Sequence, residues 1–241
     1  MASVLDFYSA HLTEPCVVLG NGPSLSQSLD KVRALRDEGY TILGSNRVYI
    51  SGLTPDYLAV VDWLVEEDCH REIRNVEATN IFLDQRARER YPKDDKYVWL
   101  DFDKSWEEKH EALPHFWRYG SGTIYGGGTV TYVLLQLAYL MGFRTTILFG
   151  VDHRYVIPEG AIHQNGGIFL SQGPDPNHFD PGYFGPGHRF HDPMTERMEI
   201  AYQVAERVFS AAGRTIVNAT PGTELRVFPA LVQPVEQAVA A

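Results

Sequence analysis

Cysteine and positive charge are both scarce in this sequence, and each shortage argues against a class of protein. The 241 residues include 2 cysteines, and 21 Lys and Arg stand against 31 Asp and Glu, a formal net charge of −10. Cys16 and Cys69 are too few and too far apart for a disulfide framework or a cysteine metal site, so we expect reduced thiols in or near the core. The acidic balance argues against a nucleic-acid partner, because binding to a phosphate backbone depends on clustered Lys and Arg.

Long hydrophobic runs are also missing, so we expect no transmembrane segment. Residues 1–15 contain Asp6 and Glu14 and have no basic region ahead of an apolar stretch, so we expect no signal peptide. A chain of this length with 44% hydrophobic residues can form one large α/β core. We therefore predict a single cytoplasmic domain over residues 1–241.

The clearest motif is CVVLGNGPSL at residues 16–25, an apolar strand followed by a glycine turn and the start of a helix. Gly20 and Gly22 allow the backbone to turn sharply or to approach a ligand closely. Ser24 and Gln27 form an S-x-x-Q pattern, which predicts a capping box and a helix N-terminus that can bind a phosphate. We interpret the motif as part of a site for a phosphate-bearing ligand; the alternative is an ordinary turn between a strand and a helix.

The same motif lacks the residues that define two common nucleotide sites. No lysine followed by Ser or Thr comes after its last glycine, as a Walker A loop requires. Leu25 stands where a dinucleotide fingerprint has its third glycine, and the next strand ends in Ser45 and Asn46 rather than in an acidic residue that would hold a ribose. A kinase-type P-loop and an NAD site are therefore both disfavoured.

Strands and helices alternate along the chain, which predicts an α/β fold with one doubly wound, mostly parallel sheet. The predicted strands are 16–19, 40–44, 56–61, 80–83, 97–100, 145–149 and 215–217, and the predicted helices follow residues 24, 64, 128 and 192. The last helix is predicted to have Asp192 as its N-cap and Pro193 at its first position. Residues 151–191 are too long and too polar for an ordinary connection and are predicted to form an irregular lid or acceptor loop. Residues 101–128 are also predicted to be irregular, and 229–241 to be a peripheral tail.

Polar residues follow several predicted strands, at the edge where parallel sheets bind ligands. Asn46 and Asp62 come after the second and third strands, and Asp152 follows Gly150 and Val151 after a buried strand. The Asp152 carboxylate can bind a sugar hydroxyl or a metal ion, or it can cap loop backbone. The sequence leaves these alternatives open.

The predicted lid holds a group of histidines, namely His163, His178, His188 and His191. Histidine is the side chain best suited to act as a general base near neutral pH. A metal site with Asp180 or Asp192 is a weaker alternative, because the spacing matches no standard motif. A third alternative is that the histidines only pack the loop against the sheet.

These motifs resemble, in the same order along the chain, those of the bacterial CMP-sialic-acid-dependent sialyltransferases. They are similar as well to the motility accessory factor glycosyltransferases and to the archaeal hydroxymethylpterin diphosphokinase-like (MptE-like) proteins. The resemblance rests on residues 20–25, Asn46, the helix that begins at Thr129, and residues 148–152. It implies a Rossmann-like sheet of the variant glycosyltransferase-A type.

The resemblance also implies which residues bind the nucleotide. Asn21 and Asn46 would hold it near its phosphate and ribose, the backbone around Gly128 and Thr129 would line the same pocket, and Asp152 would lie close to the sugar or ribose. The predicted nucleotide-binding residues are Gly20, Asn21, Gly22, Pro23, Ser24, Asn46, Asp62, Gly128, Thr129 and Asp152.

For catalysis, the resemblance implies that His178 is the base acting on an acceptor hydroxyl and that Tyr155 and Tyr183 stabilise the departing phosphate. The candidate catalytic residues are His178, Tyr155, Tyr183, His188 and His191. The chain departs from the sialyltransferase pattern at Asp62, where an asparagine is expected, and in residues 188–192, which have no counterpart there. The resemblance therefore does not fix the transferred group.

Three functions follow from the sequence. The leading prediction is a glycosyltransferase that moves a sugar from a CMP-activated donor, with a nonulosonic acid as one candidate, to an acceptor hydroxyl, using a histidine base and no obligatory metal. The alternative is a diphosphokinase acting on a pterin-like alcohol with ATP and Mg²⁺, for which Asp62 and Asp152 are the natural ligands. The third is a nucleotide-binding module without turnover. The expected partners are a nucleotide-activated donor and a glycan or small-molecule acceptor, and assembly into a homo-oligomer is left open.

Overall fold

The computed structural model describes residues 2–106, 113–164 and 166–231. Strands and helices alternate over most of this length, as the sequence predicts. Their bounds are β1 Pro15–Leu19, α1 Leu25–Asp37, β2 Thr41–Ser45, β3 Tyr57–Val60, α2 Trp63–Ile73, β4 Asn80–Asp84, β5 Tyr97–Asp103, β6 Thr123–Tyr125, α3 Val130–Met141, β7 Thr145–Phe149, β8 Ile162–Gln164, β9 Ile168–Leu170, β10 Arg189–His191, α4 Thr195–Ala211 and β11 Thr215–Asn218.

The main sheet has eight parallel strands in the order β11-β7-β1-β2-β3-β4-β5-β6. The chain starts in the middle with β1, proceeds outward to β6, and returns through α3 to β7 on the other side of β1. The direction of winding therefore changes between β1 and β7, and such a switch point opens a crevice at the carboxyl ends of the strands. The predicted doubly wound parallel sheet is confirmed.

Two hydrophobic cores cover the two faces of this sheet. In β1, Val17 belongs to the core formed with α1 and α2, and Val18 belongs to the core formed with α3 and α4. Ile147 and Leu148 of β7 divide between the two cores in the same way. Because both faces are buried, these central strands are apolar throughout rather than alternating, which is why they were recognisable in the sequence.

Helix α3 is buried on nearly all sides, as its apolar sequence predicts. It packs against β1, β2 and β3 on one side and against α4 on another. Its last turn ends at Gly142, whose φ of 97° is in the left-handed region and matches the predicted C-terminal cap.

One predicted helix cap and one predicted helix start are wrong, although α1 does begin directly after Ser24 as predicted. Ser24 has α-helical backbone angles and makes no side-chain cap, so the predicted capping box with Gln27 does not form. Helix α4 begins at Thr195 rather than directly after Asp192, and the N–H of Asp192 instead donates to the carbonyl of Gly167, 2.9 Å away. In both cases a tertiary contact takes the residue that local capping rules assign to the helix.

The predicted lid contains a small antiparallel sheet in the order β10-β9-β8. Phe190 of β10 pairs with Phe169 of β9, and their rings stack with centroids 5.4 Å apart. The segment predicted to be irregular before α3 likewise holds β6, and β5 extends to Asp103. Strands of three residues carry too few positions to show a period of two, so the sequence did not reveal them.

The thiol predictions are confirmed, because Cys16 and Cys69 are both free and buried.

The first residues of the predicted tail pair with β11, where the Asn218 N–H donates to the Pro229 carbonyl at 2.8 Å. The rest of that tail, residues 232–241, lies outside the described residues. Within the described ranges, none of the helices has the length and apolar character needed to cross a bilayer.

Candidate functional site

A cavity of about 690 Å³ opens at the carboxyl edge of the main sheet, at the switch point between β1 and β7. The loops after both strands line it, together with the N-terminus of α3, the lid and the start of α4. The predicted site residues that line this cavity are Gly20, Asn21, Gly22, Asn46, Asp62, Gly128, Thr129, Asp152, Tyr155, His178, Tyr183 and His191. Pro23, Ser24 and His188 are not among the lining residues.

The two glycines after β1 are required by the close approach of the loop after β7. A Cβ on Gly20 would lie 2.4 Å from the Gly150 carbonyl oxygen, and one on Gly22 would lie 2.0 Å from Oδ2 of Asp152. Both distances are far below van der Waals contact. The turn is therefore shaped by packing between β1 and β7, in addition to any approach of a ligand.

Asp152 occupies the N-terminus of α1. Its Oδ1 accepts from the Ser24 N–H at 3.2 Å, and its Oδ2 accepts from the Ser24 hydroxyl at 2.7 Å. A carboxylate at this position complements the helix dipole, so the anion that the sequence assigned to this helix end is supplied by the protein itself. Of the two alternatives for Asp152, the capping role is the one the geometry displays.

Asn21 and Asn46 present buried hydrogen-bond acceptors that have no partner among the residues that the structure describes. Asn21 Nδ2 donates to the Ser45 carbonyl at 3.1 Å and lies 2.6 Å from the Ser45 hydroxyl. Because a carbonyl can only accept, this contact fixes the amide orientation and leaves Asn21 Oδ1 as the orphan atom. Asn46 Oδ1 is also buried without a partner, and its backbone is left-handed at φ 45°. Two orphan acceptors at one wall suit a ligand that donates hydrogen bonds, such as a ribose hydroxyl or a base amino group.

The helix end that does face the cavity is the N-terminus of α3. Residues 126–131 line the cavity, and Thr129 caps the helix by accepting from the Thr131 N–H at 3.3 Å. A Cβ on Gly127 would lie 2.4 Å from the Tyr132 ring, and Gly128 is left-handed at φ 73°. Burial raises the pKa of Tyr202, while hydrogen bonds with Thr129 and Thr131 oppose that shift. This end offers a positive dipole and backbone N–H groups to an anion in the cavity.

His178 and Asp175 form a hydrogen-bonded pair in the lid. His178 Nδ1 lies 2.7 Å from Asp175 Oδ2, and both side chains line the cavity while being 13% and 3% exposed. Asp175 also accepts from the backbone N–H groups of Asn177, at 2.8 Å, and Phe184, at 3.1 Å. Burial alone would raise the pKa of Asp175, but the His178 contact and these two hydrogen bonds hold the pKa below its usual range.

This pairing leaves His178 Nε2 as the atom available for chemistry, since among the described residues it has no hydrogen-bond partner. The imidazole lies flat against the Tyr183 ring, with centroids 4.0 Å apart and planes 1° from parallel. The Tyr183 hydroxyl accepts from the Arg47 N–H at 3.4 Å. Tyr183 therefore packs against the histidine ring while its hydroxyl binds the backbone of Arg47.

Tyr155 is placed differently. Its ring lies 6.4 Å from that of His178 at a steep angle. Burial raises the pKa of Tyr155, and the nearby Tyr202, Asp152 and Asp175 add to the shift. The hydroxyl therefore stays protonated and can act as a hydrogen-bond donor in the cavity.

His191 and Asp62 contact each other where β10 approaches α2. His191 Nε2 lies 3.5 Å from Asp62 Oδ1, which also caps α2 by accepting from the Leu64 N–H at 3.0 Å. Burial opposes ionisation of Asp62, but the His191 contact, the Leu64 N–H and the charge of Lys104 hold its pKa below the usual value. His188 instead lies in a turn, where its N–H donates to the Gly185 carbonyl at 3.1 Å.

Two residues important for this geometry were not identified in the sequence as site residues. Asp175 was not singled out, although its spacing of three residues from His178 is a signal that could have been used. Arg47 followed a predicted ligand, Asn46, and was not considered. Within the described ranges, no cluster of three or more His, Cys, Asp or Glu side chains is placed to hold a metal ion.

Comparison with known proteins places this geometry in context. A family model described as "6-hydroxymethylpterin diphosphokinase MptE-like" matches residues 2–157, which include β1 to β7 and Asp152 but stop before His178. No curated protein matches the chain.

Among solved structures, the chain is similar to the sialyltransferase CstII from Campylobacter jejuni in complex with a substrate analogue, cytidine-5′-monophosphate. The TM-score is 0.51 at 14% identity, covering 92% of this chain and 86% of CstII. A second match, the epimerase Mth375 from Methanothermobacter thermautotrophicus, has a TM-score of 0.28 at 14% identity, covering 90% of this chain and 54% of the epimerase. The likeness to CstII shows that the fold is that of a glycosyltransferase.

Proposed function

Because the chain belongs to the family of 6-hydroxymethylpterin diphosphokinase MptE-like proteins and has the fold of a glycosyltransferase, we propose that it is a nucleotide-dependent transferase with His178 as its general base. The observation that carries the proposal is the 2.7 Å contact between His178 Nδ1 and Asp175 Oδ2 at the wall of the cavity. In this reaction an acceptor hydroxyl enters the cavity and attacks the donor. The carboxylate of Asp175 orients the imidazole for that step.

The pair works through its two ring nitrogens. His178 Nδ1–H donates to Asp175, so the lone pair of the neutral ring is on Nε2 and can accept the hydroxyl proton. The Asp175 carboxylate then stabilises the imidazolium that forms. Base catalysis of this kind contributes about 10²–10⁴-fold in rate.

The opposite part of the cavity suits the nucleotide. The orphan Oδ1 atoms of Asn21 and Asn46 accept from ribose hydroxyls or from an exocyclic amine. The N-terminus of α3 faces the phosphate, and the Tyr155 hydroxyl donates to it as it leaves. In these assignments the donor and the acceptor bind to different walls of the cavity.

The favoured donor is a CMP-activated sugar, with a CMP-linked nonulosonic acid as one candidate. The fold shared with CstII, which was solved with CMP, supports this choice. The acceptor oxygen forms a bond to the anomeric carbon, the bond from that carbon to the phosphate oxygen breaks, and CMP departs with the electron pair. The proton released by the acceptor passes to His178 Nε2.

The family match supports a second candidate, a diphosphokinase. There the hydroxyl of a pterin-like alcohol attacks the β-phosphorus of ATP and AMP departs, with His178 as the same base. The Mg²⁺ ligands expected from the sequence both cap helices, Asp152 through Ser24 and Asp62 through the Leu64 N–H, and each carboxylate keeps lone pairs with which it would hold the ion. No step is assigned to a protein-bound metal.

The test is a donor panel run on the purified protein. CMP-sugars are incubated with hydroxyl acceptors, and ATP with a pterin alcohol and Mg²⁺, each with and without EDTA. We expect acceptor-dependent CMP release that EDTA does not abolish. AMP formation from ATP would support the second candidate, nucleotide binding without turnover would reduce the protein to a binding module, and failure to bind any nucleotide would overturn the proposal.

A further inference from the structure

Arg47 is a buried cation whose contacts are concentrated on one residue of the lid. Its side chain is only 8% exposed. The guanidinium donates from Nη1 to the carbonyl of Tyr183 and, at 3.4 Å, to that of Gly182. It also lies 5.5 Å from the centre of the Tyr183 ring, and the Arg47 backbone N–H donates to the Tyr183 hydroxyl at 3.4 Å. Arg47 therefore contacts both the backbone carbonyl and the hydroxyl of Tyr183.

Tyr183 contacts His178, and the residue after it contacts Asp175, the carboxylate partner of that histidine. Its buried ring lies flat against the His178 imidazole at 4.0 Å. The next residue, Phe184, donates its N–H to Asp175 Oδ2 at 3.1 Å, the same oxygen that binds His178 Nδ1. A shift of Tyr183 would therefore disturb the plane of the imidazole and the position of the carboxylate together.

We propose that Arg47 is a positioning residue that holds His178 in its base-competent orientation through Tyr183. The inference rests on the proposed function, because it assigns Arg47 a part in the step that His178 performs. Arg47 itself does not touch the reacting atoms. Arg47 acts on the reacting atoms only through the Tyr183 ring, which stacks on His178.

The electrostatics of Arg47 fit positioning better than an ordinary stabilising ion pair. The acidic partner of Arg47 is Glu72, which is 50% exposed and lies 3.4 Å from Nη2. The other terminal nitrogen, Nη1, donates to carbonyls of the lid. Burying a guanidinium is costly, and the Arg47 Nε has no hydrogen-bond partner within the described part of the chain. Only arginine has a planar fork that can reach two carbonyls and lie against a ring at once, so lysine should not replace it.

The kinetic test compares Arg47→Lys with Glu72→Gln, which alters the exposed partner and leaves the lid contacts intact. For Arg47→Lys we expect kcat to fall about tenfold or more while KM for the nucleotide donor changes less than about twofold. Glu72→Gln should keep kcat within about twofold of the parent. Tyr183→Leu, which removes the stacked ring, should lower kcat similarly, and the double variant should be no worse than either single one because both act through the same contact.

A second readout does not depend on turnover. The Tyr183 ring should shift the His178 Cε1–H proton resonance upfield, and a His178→Gln variant assigns that signal. We expect the shift to be lost in Tyr183→Leu, reduced in Arg47→Lys and unchanged in Glu72→Gln. An Arg47→Lys protein that keeps both the shift and kcat overturns the proposal, and so does a Tyr183→Leu protein that keeps kcat.

The two proposals can fail separately. If no donor is turned over, the proposed function fails, and the resonance of His178 still decides whether Arg47 holds the ring. If donors are turned over but Arg47→Lys loses stability with kcat unchanged, Arg47 is a structural residue and only the positioning proposal fails.

Discussion

At the scale of single residues, the proposed function depends on the hydrogen-bonded pair of His178 and Asp175. A histidine alone can change tautomer and rotate, whereas one bound at Nδ1 to a buried carboxylate presents Nε2 in a fixed direction. The carboxylate in turn is held by two backbone N–H groups. The pair is therefore organised before a substrate enters.

We expect Asp175→Asn to lower kcat by about 100-fold or more, because an amide neither fixes the productive tautomer nor stabilises the imidazolium. Steady-state kinetics with the active donor checks this. Asp180→Asn is the matched control in the same loop: the Asp180 carboxylate accepts from the Gly182 N–H at 2.7 Å, and Asp180 is not among the residues that line the cavity. Equal losses in both variants would contradict the assignment.

The same carboxylate should shape the pH dependence of stability. The pKa values of Asp175 and Asp62 are lowered in the folded protein despite their burial. Such groups contribute stability that is fully present above the unfolded pKa of about 4 and is lost as pH falls through the folded pKa. We expect the free energy of unfolding to decline below about pH 5, less steeply in Asp175→Asn. Denaturant titrations over this range measure the slope, and identical slopes would count against the lowered pKa of Asp175.

Single residues were predicted from the sequence only where their chemistry is distinctive. A histidine in a polar loop can be identified as a candidate base, and His178 does line the cavity. Asp175 lies three residues before His178, so that contact is local, whereas the contact of Tyr183 with Arg47 joins residues 136 positions apart and is not visible in local sequence. The phosphate role that the resemblance implies for Tyr183 stays a prediction, and the structure adds that its hydroxyl accepts from the Arg47 N–H.

At the scale of elements, the loops after β1 and β7 form one packed unit. The Gly20 N–H donates to the Phe149 carbonyl and the Gly22 N–H to the Gly150 carbonyl, both at 2.8 Å. Asp152 completes the unit by capping α1. The glycine motif therefore serves packing as well as ligand access.

We expect Gly20→Ala to lower the free energy of unfolding by about 1–3 kcal/mol, the usual cost of overpacking a tight contact. The new Cβ would lie 2.4 Å from the Gly150 carbonyl oxygen, and neither backbone can move freely. Gly122→Ala is the control, because a Cβ there meets nothing within 4 Å. Urea denaturation compares the two, and a Gly20→Ala protein as stable as the control would refute the packing argument.

A second prediction at this scale compares how much Asp152, at the start of α1, and Asp192, near the start of α4, contribute to the free energy of unfolding. Asp152→Ala should lower the free energy of unfolding by about 1 kcal/mol, because α1 loses the carboxylate that accepts from Ser24. Asp192→Ala should cost much less, since α4 starts at Thr195 without a side-chain cap. The reverse order of losses in chemical denaturation would favour the cap predicted from the sequence over the one observed.

Elements were predictable in proportion to their length and apolar periodicity. The buried strand β7 and helix α3 were located from sequence because both are continuous and strongly apolar. The three-residue strands of the lid, and the true start of α4, depend on pairing with distant segments, so local patterns could not reveal them.

At the scale of the whole molecule, the cavity joins two parts of the chain with different relationships to known proteins. The family match covers residues 2–157, which supply the wall with Asn21, Asn46 and the start of α3. The wall with Asp175 and His178 comes from the lid beyond that match. The lid in turn is attached to α2, where Arg189 Nη2 contacts Asp68 at 2.6 Å and Glu67 at 3.1 Å.

This division suggests that the nucleotide wall and the base wall can be impaired independently. The most direct measurement is a comparison of the parent protein with His178→Ala, in which nucleotide affinity is determined by calorimetry and donor turnover under the same conditions. We predict that turnover falls by about 100-fold or more while the nucleotide dissociation constant stays within about twofold. Unchanged turnover, or loss of nucleotide binding together with activity, would contradict the account.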